Sequence, residues 1–202
     1  MIDFFATFIV FFAVIDPIGT VPVFIAVTRK FDEISKRKIA LIATLAAAAI
    51  LLFFVVAGEL LLTAMGIPLP AFQIAGGIVL FLFALSMIFG ESKPEEELRL
   101  VENHAETAIF PLAVPSIAGP GAMLAAVLLT ENARFNILEQ VQTVGMMLVV
   151  LLIAYVLMLG ATWINRFIGA SGASVVSRVM GLILAAVATT NTLNGIKMYF
   201  GL

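Results

Sequence analysis

The chain of 202 residues contains no cysteine and a single histidine, His104. The first absence excludes disulfides, thiol redox relays and thiolate metal sites, and the second leaves transition-metal chemistry without an imidazole pair. Charge is scarce too: only 12% of residues are Asp, Glu, Lys or Arg, about half the share found in soluble domains. With 62% hydrophobic residues and a mean hydropathy of +1.16, too little polar surface exists to cover a soluble core, so lipid is the solvent for most of the chain. No Ser/His/Asp set, HExxH helix or phosphate-binding loop is present, and enzyme activity is not expected. A net charge of −2 without a basic, aromatic-interleaved stripe leaves nucleic acid out as a partner.

What is present is uncharged sequence in long runs: residues 4–15 and 17–28 on either side of Asp16, then 39–58, 60–90, 107–130, 140–165 and 179–196. A helix needs about 20 apolar residues to cross the hydrocarbon, so these runs predict an all-α membrane protein with six transmembrane helices and short connectors. The first run lacks a basic leader and a following small-residue cleavage site, and reads as retained structure. The reading divides the chain into a three-helix repeat (1–90), an acidic cytoplasmic linker (91–106) and a second three-helix repeat (107–202).

The first and fourth segments are expected to be broken at mid-membrane. Pro17 removes a donor and pushes Asp16 out of the α region, Gly19 tolerates unusual dihedrals, and Pro22 is suited to start a second half-helix. In the fourth segment, Pro111, Pro115, Ser116, Gly119, Pro120 and Gly121 interrupt the run in the same way. Pro17 and Pro22 match Pro115 and Pro120 at an offset of 98, and residues 77–80 (GIVL) match 181–184 (GLIL) at an offset of 104. Three spans per repeat invert the second copy, which predicts a 3+3 inverted repeat, an architecture of alternating-access transporters; duplication for stability alone is the plainer alternative.

Nine basic residues (Arg29, Lys30, Lys36, Arg37, Lys38, Lys93, Arg99, Arg166 and Arg178) fall in the loops after segments one, three and five, against Arg134 and Lys197 opposite. The positive-inside rule puts the nine in the cytoplasm and both termini outside it. If segments one and four were re-entrant hairpins the split would be the same, with four spans and the termini inside.

Asp16 is the sharpest candidate, because a carboxylate in mid-segment costs about 2.5–3.5 kcal/mol even on lenient insertion scales. It is read as a ligand for a cation, an ammonium group or a coupling proton, or as the N-cap of the second half-helix. The amides around Gly119, Pro120 and Gly121 suit an anion such as an α-carboxylate. Thr20 and Ser116 add hydroxyls, or satisfy carbonyls of their own helices. Thr190, Asn191 and Asn194 place a hydroxyl and two carboxamides on one face of segment six, for a polar substrate or for interhelical hydrogen bonds. Glu59 and Gln73 are weaker, the former read as interfacial.

The stretches DPIGTVPVF (residues 16–24) and PLAVPSIAGPGA (residues 111–122) resemble the twin motifs of the MarC family, and the likeness extends over essentially the whole chain. This resemblance implies a multi-pass protein of the bacterial or archaeal inner membrane, grouped with neutral amino acid transporters in a LysE-like superfamily. Family motifs often carry Asn before the first Pro, so Asp16 is a departure that adds a negative charge. The expected function is secondary transport of small neutral amino acids such as glycine or alanine, driven by a proton or sodium gradient. The Gly119–Gly121 amides and Ser116 are expected to hold the carboxylate, Asp16 and Thr20, beside Gly19, the ammonium group or coupling cation, and Thr190, Asn191 and Asn194 the polar remainder. No metal or organic cofactor is expected. The partners are a small solute and the bilayer, and a homo-oligomer is compatible with the sequence. The other readings are a translocase for a lipid-linked or amphipathic anion and a membrane scaffold without transport.

Overall fold

The computed structural model describes residues 4–89, 104–132 and 135–201, the side chains of 164–171, 173, 174, 176 and 177 excepted. Lys93, Arg99, Arg134 and most of the acidic linker therefore lie outside the described residues, as does the Arg166 side chain.

The described chain is helical: α1 (Phe4–Ile15), α2 (Pro17–Thr28), α3 (Glu33–Ala64), α4 (Leu69–Phe89), α5 (His104–Ile117), α6 (Pro120–Leu128), α7 (Ile137–Leu159) and α8 (Ala161–Phe200). Five spans are long and apolar enough to cross a bilayer: Phe4–Thr28, α3, α4, α7 and Arg178–Phe200. The pair α5 and α6, bent by 59° at its break, makes a sixth candidate. The helix starts follow from local chemistry. Asp32 caps α3 by accepting from the Ser35 amide, and Asn136 with Glu139 forms a reciprocal capping box at α7. Hydrogen bonding from Ser35 holds the Asp32 carboxyl below its ordinary value.

Two expectations are corrected. The second half-helix of segment one starts at Pro17, and Pro22 lies inside it. This follows from the position of the interruption, a single residue at Asp16, after which the fixed φ of Pro17 suits a first helical position. The connector expected after residue 165 is instead helical, and α8 runs unbroken from Ala161 to Phe200. No proline occurs after residue 160, and glycine in a helix costs only about 1 kcal/mol, so nothing forces a loop there.

Packing runs almost entirely between the two halves of the chain. Segment four (α5 and α6) lies along α3 and α4, segment one (α1 and α2) lies along α7 and α8, and α4 pairs extensively with α8. Small residues set the α4–α8 distance. A Cβ on Gly77 would strike the Ala188 carbonyl and Thr192; one on Gly181 would strike the Ala84 carbonyl and Ile88; one on Gly195 would strike the Pro70 carbonyl and Ile74. These contacts make the two helices antiparallel. Where bilayer apolarity supplies no hydrophobic drive between helices, such close approach is the main source of association.

Segment four is tied to α3 at both ends. His104 Nε2 and Ser35 Oγ are 2.9 Å apart, with the His104 ring on Phe31, while Glu59 Oε2 accepts from the backbone and side-chain nitrogens of Asn132 at 2.9 and 2.8 Å. From Ser35 to Glu59 the α3 axis covers roughly 36 Å at 1.5 Å per residue, more than the ~30 Å hydrocarbon core. Segment four thus enters beside one end of α3 and leaves beside the other.

Candidate functional site

The chain breaks helix twice, and the breaks differ. At the first, Asp16 takes the left-handed conformation (φ 48°, ψ 66°), the only non-glycine residue with positive φ among those described. Pro17 disfavours the α region for its predecessor, and Asp is among the few residues that tolerate the left-handed one. The interruption lasts one residue: the Asp16 amide bonds the Phe12 carbonyl at 3.1 Å, and the Asp16 carbonyl accepts from the Thr20 amide at 3.0 Å.

The Asp16 side chain turns back over the new helix and accepts from the Gly19 amide at 2.9 Å. A Cβ on Gly19 would collide with the carboxylate, so the Asp-Pro-x-Gly spacing is what lets the cap close. Asp16 is 5% exposed, and its charge sits at the positive end of α2, where helix dipole and amide offset part of its desolvation. The N-cap reading of Asp16 is thus realised.

The second break is longer. Phe110 and Val114 are extended, the bonds before Pro111 and Pro115 are cis, and α6 restarts at Pro120 after an extended Gly119. Here no side chain caps the helix. Gly119, Gly121 and Ala122 are buried, and Gly121 is held against Leu80, which places the start of α6 level with the middle of α4. Farther along, Leu124 fills the space over Gly76 and Val127 that over Gly58.

The two breaks meet. Thr20 Oγ1 and Ser116 Oγ are 3.4 Å apart, and both residues are buried. Thr20 spends its single proton on the Asp16 carbonyl at 3.0 Å, so Ser116 is the donor between the hydroxyls. The resulting chain runs from Ser116 through Thr20 to the Asp16 carbonyl and joins the two halves at their irregular points. Ser116→Ala is expected to cost about 1 kcal/mol, with Thr20→Val no worse in the Ser116→Ala background than alone, checked by a double-mutant cycle on detergent melting.

Thr190, Asn191 and Asn194 are not hydrogen-bonded to the breaks. The Thr190 hydroxyl is spent on the Ala186 carbonyl, Thr190 and Asn194 are exposed, and Asn191 is half-buried. Among the described residues no group of three His, Asp or Glu side chains is gathered that would hold a metal. Sequence reasoning missed the pairing of His104 with Ser35 and of Glu59 with Asn132; the only signal for the latter was polar sequence in the 131–136 connector.

A family model described as MarC family integral membrane protein matches residues 1–200. The chain belongs to the MarC family. Among curated relatives in that family, the UPF0056 membrane protein MJ1677 of Methanocaldococcus jannaschii is 36% identical over 96% of both chains. One from Archaeoglobus fulgidus is 33% identical over 96% of this chain and 92% of its own, and YhcE of Escherichia coli K12 is 33% identical over 98% and 93%. No solved structure matches the chain. This MarC-family chain is an integral, multi-pass membrane protein.

Proposed function

We propose that the protein is a secondary transporter of small neutral amino acids, of the glycine or alanine size, working by alternating access between two inverted repeats. The observation that carries the reading is the meeting of the breaks at Thr20 and Ser116, beside a buried carboxylate and an uncapped half-helix, all at membrane depth. Backbone irregularity at that depth is tolerated where it lines a site, and broken helices facing one another are how transporters build one.

Several regularities support the repeat. Pro17 and Pro120 open the two half-helices 103 positions apart, and the caps Asp32 and Asn136 lie 104 apart, which replaces the offset of 98 inferred from the prolines. The glycine contacts are reciprocal: Gly77 meets Ala188 and Thr192 as Gly181 meets Ala84 and Ile88, each pair related by the same shift of 104. Self-complementary contact of this kind marks a two-fold relation. The passage of segment four along α3 favours six spans, with the nine basic residues inside, both termini outside, and the bacterial or archaeal inner membrane as the location.

In this register Asp16 corresponds to Gly119. The first half-helix carries its own carboxylate cap, whereas its counterpart has none, and the α6 amides are the place for the substrate's carboxylate. The ammonium group, with the coupling proton or sodium ion, goes to the Asp16 side.

Proteoliposomes loaded against imposed proton and sodium gradients are expected to accumulate labelled glycine or alanine, and Ser116→Ala is expected to reduce uptake several-fold. Absence of gradient-sensitive uptake of every amino acid in a neutral panel would sink the reading.

A further inference from the structure

The start of α3 is crowded with cations. Between Thr28 and Ile39 the chain carries Arg29, Lys30, Lys36, Arg37 and Lys38 against Asp32 and Glu33. Both acids are engaged: Asp32 accepts from the Ser35 amide as the α3 cap, and Lys36 Nζ donates to Glu33 Oε1 at 2.7 Å. Arg29, Lys30, Arg37 and Lys38 are exposed and form no ion pair among the described residues. Like charges held this close repel one another, and a bound anion relieves the repulsion.

The surface beneath the cluster identifies the anion. Lys38 heads the exposed face of α3, which continues through Leu41, Leu45, Ala49, Phe53, Val56 and Leu60 at steps of three or four residues. From Lys38 to Leu60 this lane covers about 33 Å at 1.5 Å per residue, slightly more than the ~30 Å hydrocarbon core. With the lane among acyl chains, the Lys38 ammonium group therefore stands at headgroup level, and Arg37 flanks it one position round the helix. Helix α7 offers a comparison within the same molecule. Its exposed face, with Val141, Leu148, Leu152 and Val156, is equally apolar, but α7 holds no Lys or Arg and opens on an Asn136–Glu139 capping box.

We propose that this face of α3 binds an anionic phospholipid, with the phosphate between Arg37 and Lys38 and an acyl chain along Leu41, Leu45 and Ala49. Arg29 and Lys30 add to the positive potential around the headgroup. The site goes beyond the transport reading and does not rest on it. Soluble phosphate meets the cations and leaves the apolar lane unused, whereas a zwitterionic lipid fills the lane but brings its own ammonium group to the cluster. A lipid of net negative charge matches both parts.

The test is lipid retention by the purified full-length protein, read by native mass spectrometry from detergent containing equal amounts of phosphatidylglycerol and phosphatidylcholine with the same acyl chains. Wild type is expected to favour phosphatidylglycerol about twentyfold, which corresponds to roughly fivefold for each of two cations. The double variant Arg37→Gln, Lys38→Gln is expected to fall close to parity, and Lys38→Glu alone replaces it if it does not fold. Lys38→Arg is expected to keep the preference, as is Lys197→Gln in the last turn of α8. Phosphatidylglycerol is expected to raise the melting temperature of wild type where inorganic phosphate at the same concentration does not. Equal retention of the two lipids by wild type, an unchanged preference in the variants that remove the cations, or equal stabilisation by inorganic phosphate overturns the site. Lipid retention is read without any uptake, so failure of the transport reading leaves this result standing.

Discussion

Gly19→Ala is expected to lower the melting temperature in detergent by roughly 8–12 °C and to abolish uptake, an effect out of proportion to one methyl group. The added Cβ occupies the position of the Asp16 carboxylate, so the side chain must leave the Gly19 amide. Losing the cap costs about 1 kcal/mol. The larger part is the displaced charge: breaking a buried charged contact costs about 3–5 kcal/mol in measured cases. At 2–4 °C per kcal/mol for a chain of this size, the sum gives the stated range at its conservative end. Asp16→Asn separates cap from charge. Asn accepts from the same amide and tolerates the same left-handed backbone, so its melting temperature is expected within a few degrees of wild type. The dependence of uptake on the proton or sodium gradient is expected to change. Unchanged coupling in that variant would leave Asp16 as a cap alone.

The second large effect is expected at the α4–α8 contact. Gly77→Leu and Gly181→Leu each drive a side chain into a backbone carbonyl of the opposite helix, which cannot give way as a flexible side chain can. Overpacking costs about 1–3 kcal/mol when one or two methylenes are forced into a filled site, and here four carbons meet backbone. Both variants are expected to lose most folded protein on size-exclusion chromatography. Of their alanine counterparts, Gly77→Ala is expected to be the more destabilised, because its Cβ overlaps Thr192 Oγ1 while that of Gly181 stays 3.0 Å from its neighbours.

Much of this was legible in the sequence, for identifiable reasons. The spans follow from uncharged runs matched to bilayer thickness, and the breaks from proline and glycine chemistry that acts within a few residues. Asp16 was legible as the cap of the second half-helix, since its capping geometry is local. Which proline starts the second half-helix was not, because prolines mark a break without saying which of them opens the next helix. Pro115 and Pro22 lie inside their elements, while Pro17 and Pro120 start theirs. The unbroken α8 was hidden by arginines that look like a connector and yet lie within one helix.

The interleaved packing has a consequence for how the protein is made. Within the first half, α1 and α2 find almost no surface to rest on, since their partners are α7 and α8. At about 5–20 residues per second, synthesis of the second half takes on the order of 5–20 s. Through that interval the first helices stand in the bilayer as separate rods, stable because each satisfies its own backbone, but without tertiary structure. The polar groups of the break, Asp16 above all, face lipid or a membrane-insertion partner until α7 arrives. The nascent half-protein is therefore the stage most exposed to quality control, and a chain truncated before α7 is predicted to be degraded rather than to persist as a folded half.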